Sequence, residues 1–198
     1  MKIIGLVGGI GSGKSTVARM IGERDNAVVL DADKLGHDVL LLDEVKTLVR
    51  NEWGDVPFDA NGEINRRNLA DIVFSGTKDG NENLDKLKKI SLSRIATLLK
   101  SQIDRAKAEK KAWILLDAPL LLEGNWDKFC DVIIFIDTPE QVRLEHALSR
   151  GWTKKEYDAR TAQQIPLENK RLAAKFVLQN DCSLEQLRER ICLIFDKI

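Results

Sequence analysis

Five near-continuous apolar runs punctuate the chain, at 2–7, 27–30, 112–117, 131–137 and 176–178. None alternates apolar with polar residues, so each predicts a strand covered on both faces. Between the runs the apolar spacing turns helical. Val17, Met20 and Ile21 form a stripe within 14–24, and Leu35, Val39, Leu42, Val45 and Val49 form one within 34–53. Leu84, Leu87, Ile95, Leu98 and Leu99 mark a long helix over 84–110, and Leu184, Leu187, Ile191, Ile194 and Phe195 mark the last one. Strands alternating with helices predict a parallel sheet with right-handed crossovers. Ligands then sit at the carboxyl ends of the strands.

The stretch between the second and third runs is too long for one crossover helix. Its pattern predicts one helix over 34–53, a turn-rich passage over 54–65, a short helix over 66–74, a polar loop over 75–83 and the long helix. A mostly helical insertion at the mouth of a sheet suggests a region for an acceptor substrate, although some of these helices must cover the sheet. Later, Thr138-Pro139-Glu140-Gln141 reads as a helix start with Thr138 as cap and proline in the first turn. Thr153-Lys154-Lys155-Glu156 and Ser183-Leu184-Glu185-Gln186 read as capping boxes. The expected organisation is one unit over 1–198: a core of 1–33, 111–137 and 166–198, a helical insertion over 34–110, and a helical lid over 138–165.

One junction carries explicit chemistry. Gly8-Gly9-Ile10-Gly11-Ser12-Gly13-Lys14-Ser15 follows the first strand, opens the first helix and fits G-x-x-x-x-G-K-[ST], the phosphate-binding P-loop. Glycines let successive backbone N–H groups converge on an anion, and the helix start adds its positive dipole end. The pattern sets Gly9, Ile10, Gly11, Ser12, Gly13, Lys14, Ser15 and Thr16 against a nucleotide's phosphates, with Lys14 reaching the outer ones and Ser15 binding Mg²⁺. Asp31 and Asp33 follow the second strand, and in an extended segment they would point the same way. Asp33 would face the γ-phosphate and act as general base. Asp31 could help hold Mg²⁺ or cap the next helix. Asp117 closes the third strand as a Walker-B-type carboxylate does. Arg143 and Arg150, seven apart, would share one helix face and close on the phosphates, with Arg160 in the next helix.

Composition narrows the partners. Lys+Arg and Asp+Glu number 31 each, so the formal charge is zero, which argues against broad nucleic-acid or membrane-surface binding. No apolar run reaches the ~18 residues of a membrane span. The first residues lead straight into the P-loop and do not resemble a secretory signal. Cys130, Cys182 and Cys192 lack a CxxC spacing and read as reduced packing residues of a cytoplasmic protein. His37 and His146 are too far apart in sequence for an obvious zinc site. No Asn-Lys-x-Asp guanine signature occurs, and Asp59-Ala60-Asn61-Gly62 reads as a turn.

In order, these motifs resemble the dephospho-CoA kinase family, nucleoside-monophosphate-kinase-like P-loop enzymes. The resemblance rests on the P-loop from Gly5 to Ala18, Asp31-Ala32-Asp33, and Gly62-Glu63-Ile64-Asn65-Arg66 with Leu69 and Ile72-Val73-Phe74. Pro119-Leu120-Leu121-Leu122-Glu123, the stretch Arg150 to Gln164, Lys170-Arg171 and Asn180 extend it. It implies a three-layer P-loop fold of about five parallel strands, with ATP and Mg²⁺ as cofactors and dephospho-CoA as acceptor. It further implies Asp33 as base, Lys14 on the phosphates, Ser15, Asp31 and Asp117 around the metal, and Arg150 or Arg143 as lid arginine. A monomer or weak homo-oligomer is expected, binding no nucleic acid or membrane. One departure stands out. The family's L-x-x-I-x-H-P-x-[IV] frame reads Leu87-Lys88-Lys89-Ile90-Ser91-Leu92-Ser93-Arg94-Ile95 here, with Leu92 and Ser93 replacing His-Pro. A related kinase with another acceptor, and a nucleotide-binding regulator without turnover, are the rival readings.

Overall fold

The computed structural model describes residues 1–24, 26–74 and 78–198, with the side chain of Lys78 outside the description. It divides into two compact units, 1–32 with 100–198, and 33–99.

The first unit is built on a parallel sheet. Its strands are β1 (Lys2–Gly8), β2 (Ala27–Asp31), β3 (Trp113–Asp117), β4 (Val132–Asp137) and β5 (Phe176–Gln179), in the order β2-β3-β1-β4-β5. All pairs are parallel, and the register sets Asp31 opposite Asp117 and Gly8 opposite Ile136. Each predicted strand is present. Ile4, Leu6, Leu115, Ile134 and Ile136 bury their side chains against α1 (Lys14–Gly22) and α9 (Leu184–Phe195). Burial of a Leu or Ile side chain contributes about 1.5–3 kcal/mol, so this apolar layer is what holds the sheet's carboxyl ends in place. Leu187, Ile191, Ile194 and Phe195 are buried as their spacing predicted, but Leu184 is 60% exposed, because it sits in the first turn before the helix reaches the sheet. Between β4 and β5 lie α6 (Glu140–Leu148), α7 (Lys154–Ala162) and α8 (Leu167–Leu172). The capping boxes at Thr153 and Ser183 are both formed.

The second unit contains α3 (Asp43–Trp53) and α4 (Arg66–Val73), most of α2 (Ala32–Leu40) and most of α5 (Lys78–Ala108). Leu69, Val73 and Leu84 form one buried cluster in it, packed by Leu40, Trp53, Ile64 and Leu87, and Leu35, Val39, Val45, Val49, Ile95 and Leu99 are buried as well. Ion pairs knit its surface, including Lys46–Glu63 at 2.8 Å and Arg94–Glu44 at 2.7 Å.

Two helix expectations are corrected here. The helix expected over 34–53 is two helices, broken at Leu41 and Leu42, where the amides bond three residues back to Asp38 and Val39. Asp43 and Glu44 then open α3, where acidic side chains favour the positive helix end. The loop expected over 75–83 is already helical from residue 78, and residues 75–77 lie outside the described ones. Asn83 is held inside α5 by the Trp53 indole, which donates to its Oδ1 at 3.0 Å. Asp59-Ala60-Asn61-Gly62 is a turn, with Asp59 Oδ1 accepting from the amides of Asn61 and Glu63.

The three cysteines are free. Burial, reinforced by the Asp127 and Asp131 carboxylates, pushes the Cys130 thiol up to about 12. Cys192 is exposed. A chromogenic disulfide reagent at pH 8 is therefore expected to titrate Cys192 quickly and Cys130 only on unfolding. Equal rates would show that Cys130 is accessible in the folded chain. Unfolding frees the thiol to ionise near its ordinary 9.0, while the folded thiol keeps its proton to about 12. Stability should accordingly fall as pH rises through that window.

Candidate active site

The P-loop is shaped by two left-handed glycines. Gly11 has φ +74° and Gly13 has φ +82°, a region where an L side chain costs about 1–2 kcal/mol. Ser12 N–H donates to Gly9 O at 3.2 Å and Val17 N–H to Gly13 O at 3.0 Å, closing the turn onto α1. Lys14 is buried in the loop it follows, its ammonium donating to Gly8 O at 3.3 Å and Gly9 O at 3.0 Å. A positive charge and a set of convergent amides together suit a polyphosphate.

The carbonyls of Gly11 and Ser12 are caught from distant parts of the same unit. Thr138 Oγ1 donates to Ser12 O at 2.8 Å, and Asn180 Nδ2 donates to the same oxygen at 2.9 Å. His146 Nδ1 lies 2.7 Å from Gly11 O, so that nitrogen carries the proton. Arg143, 6% exposed, donates from Nε to Thr138 O at 3.1 Å and from Nη1 to the Tyr157 hydroxyl at 2.9 Å. Its side chain lies against Gly9, where a Cβ would come within 2.6 Å of Nη1, and its carbonyl blocks any Cβ at Gly11. Thr138 is thus not the helix cap expected of it. The N-cap of α6 is Pro139, without a side-chain bond, and the threonine hydroxyl serves the P-loop instead.

Oxygen ligands gather at the other side of the loop. An open cleft of about 440 Å³ is lined by Ser15, Arg19, Val29, Asp31 and Asp117, among others. Burial raises the Asp117 carboxyl above the ordinary carboxylate value. A hydrogen bond from Ser15 and the Lys14 charge oppose this, and the Asp31 carboxylate adds to it. Among the described residues no cluster of three or more His, Cys, Asp or Glu side chains could hold a metal alone. A hydroxyl and one or two carboxylates nevertheless fit Mg²⁺, which keeps waters and completes its shell with substrate phosphates.

Other candidates are placed differently from their sequence reading. Asp33 is not in an extended segment: α2 begins at Ala32, and Asp33 stands in its first turn, so strand alternation does not align it with Asp31. Arg150 lies past the end of α6, exposed in a turn, so it does not share a helix face with Arg143. Helix α6 ends because Ser149, Arg150 and Gly151 turn back on Glu145, Ala147 and Leu148, with Gly151 at φ +84°. The Arg160 guanidinium stacks 4.4 Å from the Trp152 ring centre.

A family model described as dephospho-CoA kinase matches residues 2–186. The chain belongs to the dephospho-CoA kinase family. It is similar to the dephospho-CoA kinase of Aquifex aeolicus, 36% identical over 199 residues, covering 100% of this chain and 98% of that one. The dephospho-CoA kinase of Deinococcus radiodurans is 36% identical over 95% of this chain and 88% of its own. Among solved structures, TT1252 from Thermus thermophilus superposes with a TM-score of 0.80 at 30% identity, covering 100% of this chain and 97% of that one. A shikimate kinase from Acinetobacter baumannii, at 17% identity and TM-score 0.56 over 100% and 94% of the two chains, shares the P-loop kinase fold. Membership of this kinase family makes the chain a phosphotransferase.

Within this dephospho-CoA kinase family member, sequence reasoning identified the P-loop but missed Thr138, His146 and Tyr157 as its supports. A signal existed for Tyr157, the single tyrosine of the chain, which is 2% exposed within an otherwise polar helix. His146 carried none. Replacing Gly11 by Ala should weaken ATP binding more than about tenfold, because the residue meets both an unfavourable φ and the Arg143 backbone. Gly54, at φ +63° with nothing near its Cβ position, is the control. Gly54→Ala should lower stability by about 1 kcal/mol and leave ATP binding alone. Isothermal titration with ATP separates the two, and equal affinities would sink the packing account of Gly11.

Proposed function

We propose that the protein transfers the γ-phosphoryl group of ATP to the 3′-hydroxyl of dephospho-CoA, yielding coenzyme A, the last step of its biosynthesis. The observation that carries this reading is a fully supported P-loop beside the Asp31–Asp117 carboxylate pair, in a chain that matches the family along nearly its whole length. In this reading the loop amides and Lys14 bind the β- and γ-phosphates and stabilise charge that develops on them. Ser15, Asp117 and Asp31 would hold Mg²⁺, which when bound neutralises phosphate charge. Asp33, just past Asp31 at the start of α2, accepts the proton of the attacking hydroxyl. Arg150 is the arginine available to a phosphate from the α6–α7 hairpin, while Arg143 acts by holding the loop.

The insertion, proposed as residues 34–110, binds the acceptor, and 138–165 act as the lid. Arg66 in the Ile64-Asn65-Arg66 motif lies 3.4 Å from His37 Nδ1, so an imidazole and a guanidinium stand together for an acceptor phosphate. This pair offers what the absent His-Pro pair does not. Ser93 is exposed and Leu92 half-buried in α5, and Arg94 is already engaged by Glu44 and by Ile90 O at 2.6 Å. That departure favours keeping a second reading, a related kinase with a different acceptor. In this reading the enzyme is cytoplasmic, monomeric or weakly associated, and without nucleic-acid partners; its formal charge is zero, and no described helix is long and apolar enough to cross a membrane.

An ATP-consumption assay with dephospho-CoA, run beside nucleoside monophosphates, gluconate and shikimate, should show turnover with dephospho-CoA alone. Tight ATP binding without that turnover would defeat the acceptor assignment. Asp33→Asn is expected to lower kcat by about 10² or more with ATP affinity unchanged. An unaffected rate would remove Asp33 from the base role.

A further inference from the structure

Lys170 in α8 is 1% exposed, the most completely buried charged side chain among the described residues. Its ammonium has three donors, and three acceptors surround it. It donates to Pro119 O at 3.2 Å and Gln164 Oε1 at 3.1 Å, and it pairs with Glu123 Oε1 at 3.2 Å. The Glu123 side chain is only 9% exposed, and the same oxygen accepts from Ile165 N–H at 3.0 Å. Burial draws the Lys170 pKa down, and Glu123 opposes that shift. With its donors used inside the protein, this cation is not placed to serve a phosphate.

What the pair joins is specific. Pro119 and Glu123 belong to the loop that leaves β3 just after Asp117. Gln164 and Ile165 belong to the segment that leaves α7, the helix whose Tyr157 holds Arg143 and whose Arg160 stacks on Trp152. A buried ion pair contributes little net stability compared with apolar residues of the same volume, but its bonds are directional. One ammonium here sets the spacing of three backbone segments at once.

We propose that Glu123 and Lys170 are positioning residues, forming the fixed pivot that holds the exit of the α6–α7 arm against the loop following Asp117. The inference rests on the reading of that arm as part of the phosphoryl-transfer machinery, and not on the identity of the acceptor. Thr138 and Asn180 directly follow β4 and β5 and hold Ser12 O from the sheet, and the pivot meets the exit of α7 and not α6, so losing the pivot leaves ATP binding in place and misplaces the α7 end of the arm.

The test is the double variant Glu123→Gln/Lys170→Met, with Glu123→Gln alone beside it. The double variant leaves no uncompensated buried charge, and its glutamine can still accept from Ile165 N–H. It should fold and melt close to the wild type, bind ATP within about threefold of it, and show kcat reduced about tenfold or more. Glu123→Gln alone, which strands the lysine charge, should lose both kcat and thermal stability. A double variant with wild-type kcat overturns the proposal. So does one that fails to fold, or whose ATP affinity falls in step with kcat, since the pair would then act through the whole fold. Wild-type turnover in the same assay reports separately on the acceptor. If the wild type does not phosphorylate dephospho-CoA, the same comparison is made on its slow ATP hydrolysis.

Discussion

A loop that turns its amides toward an anion must turn its carbonyls back into the protein, and each buried carbonyl needs a donor. That constraint organises the first unit. Gly8 O and Gly9 O are taken by Lys14, Gly11 O by His146, and Ser12 O by both Thr138 and Asn180. Apart from Lys14, these donors come from the segments following β4 and β5, more than a hundred residues beyond the loop. The P-loop motif is short in sequence, but its conformation is specified by the whole carboxyl half of the chain. Arg143 completes the arrangement from beneath: it bonds Thr138 O and Tyr157, and its bulk explains why positions 9 and 11 carry no side chain.

How much of this could be read beforehand follows from the range of each interaction. Strands β1 to β5 were legible because burial on both faces leaves an uninterrupted apolar signature. The capping boxes were legible because four residues contain both partners. The break at Leu41 and Leu42 was not, since two leucines continue a helical stripe and only the acidic pair after them marks a new start. Helix α5 begins earlier than its apolar pattern because Asn83 is paid by a tryptophan thirty residues upstream in sequence. The same blindness affected the site. Thr138 carried a correct local signature, a capping threonine before proline, and a distant carbonyl outcompeted it.

Charge is handled in one consistent way. The chain is neutral overall, yet the buried polar and charged residues described in it are Ser12, Lys14, Asp117, Thr138, Arg143 and Lys170. All belong to the P-loop, to the end of β3, or to segments that follow β4 and α7. Removing an ion from water is costly unless it is paired and hydrogen-bonded. A fold that minimised this cost would not concentrate buried ions in one region. Their concentration is understandable where preorganised charge serves a polyanion, because groups fixed in advance need no reorganisation when phosphate charge develops.

The two sides of the proposed reaction are therefore specified with different strength. On the donor side, the carbonyls of Gly8, Gly9, Gly11 and Ser12 have named partners and the carboxylates are set by strand register, Asp31 opposite Asp117. Few substitutions there would leave the loop intact. The second unit buries apolar side chains of its own, Val39, Val45, Val49, Leu69 and Leu99 among them, and carries partly exposed ion pairs such as Lys46–Glu63 and Arg94–Glu44 on its surface. Surface pairs contribute only about 0–1 kcal/mol each, so the polar residues on that unit's surface can change with little effect on the fold. The replacement of His-Pro by Leu92-Ser93 fits this picture. Ser93 is exposed and Leu92 half-buried, and the His37–Arg66 contact shows that the unit presents polar groups from other helices.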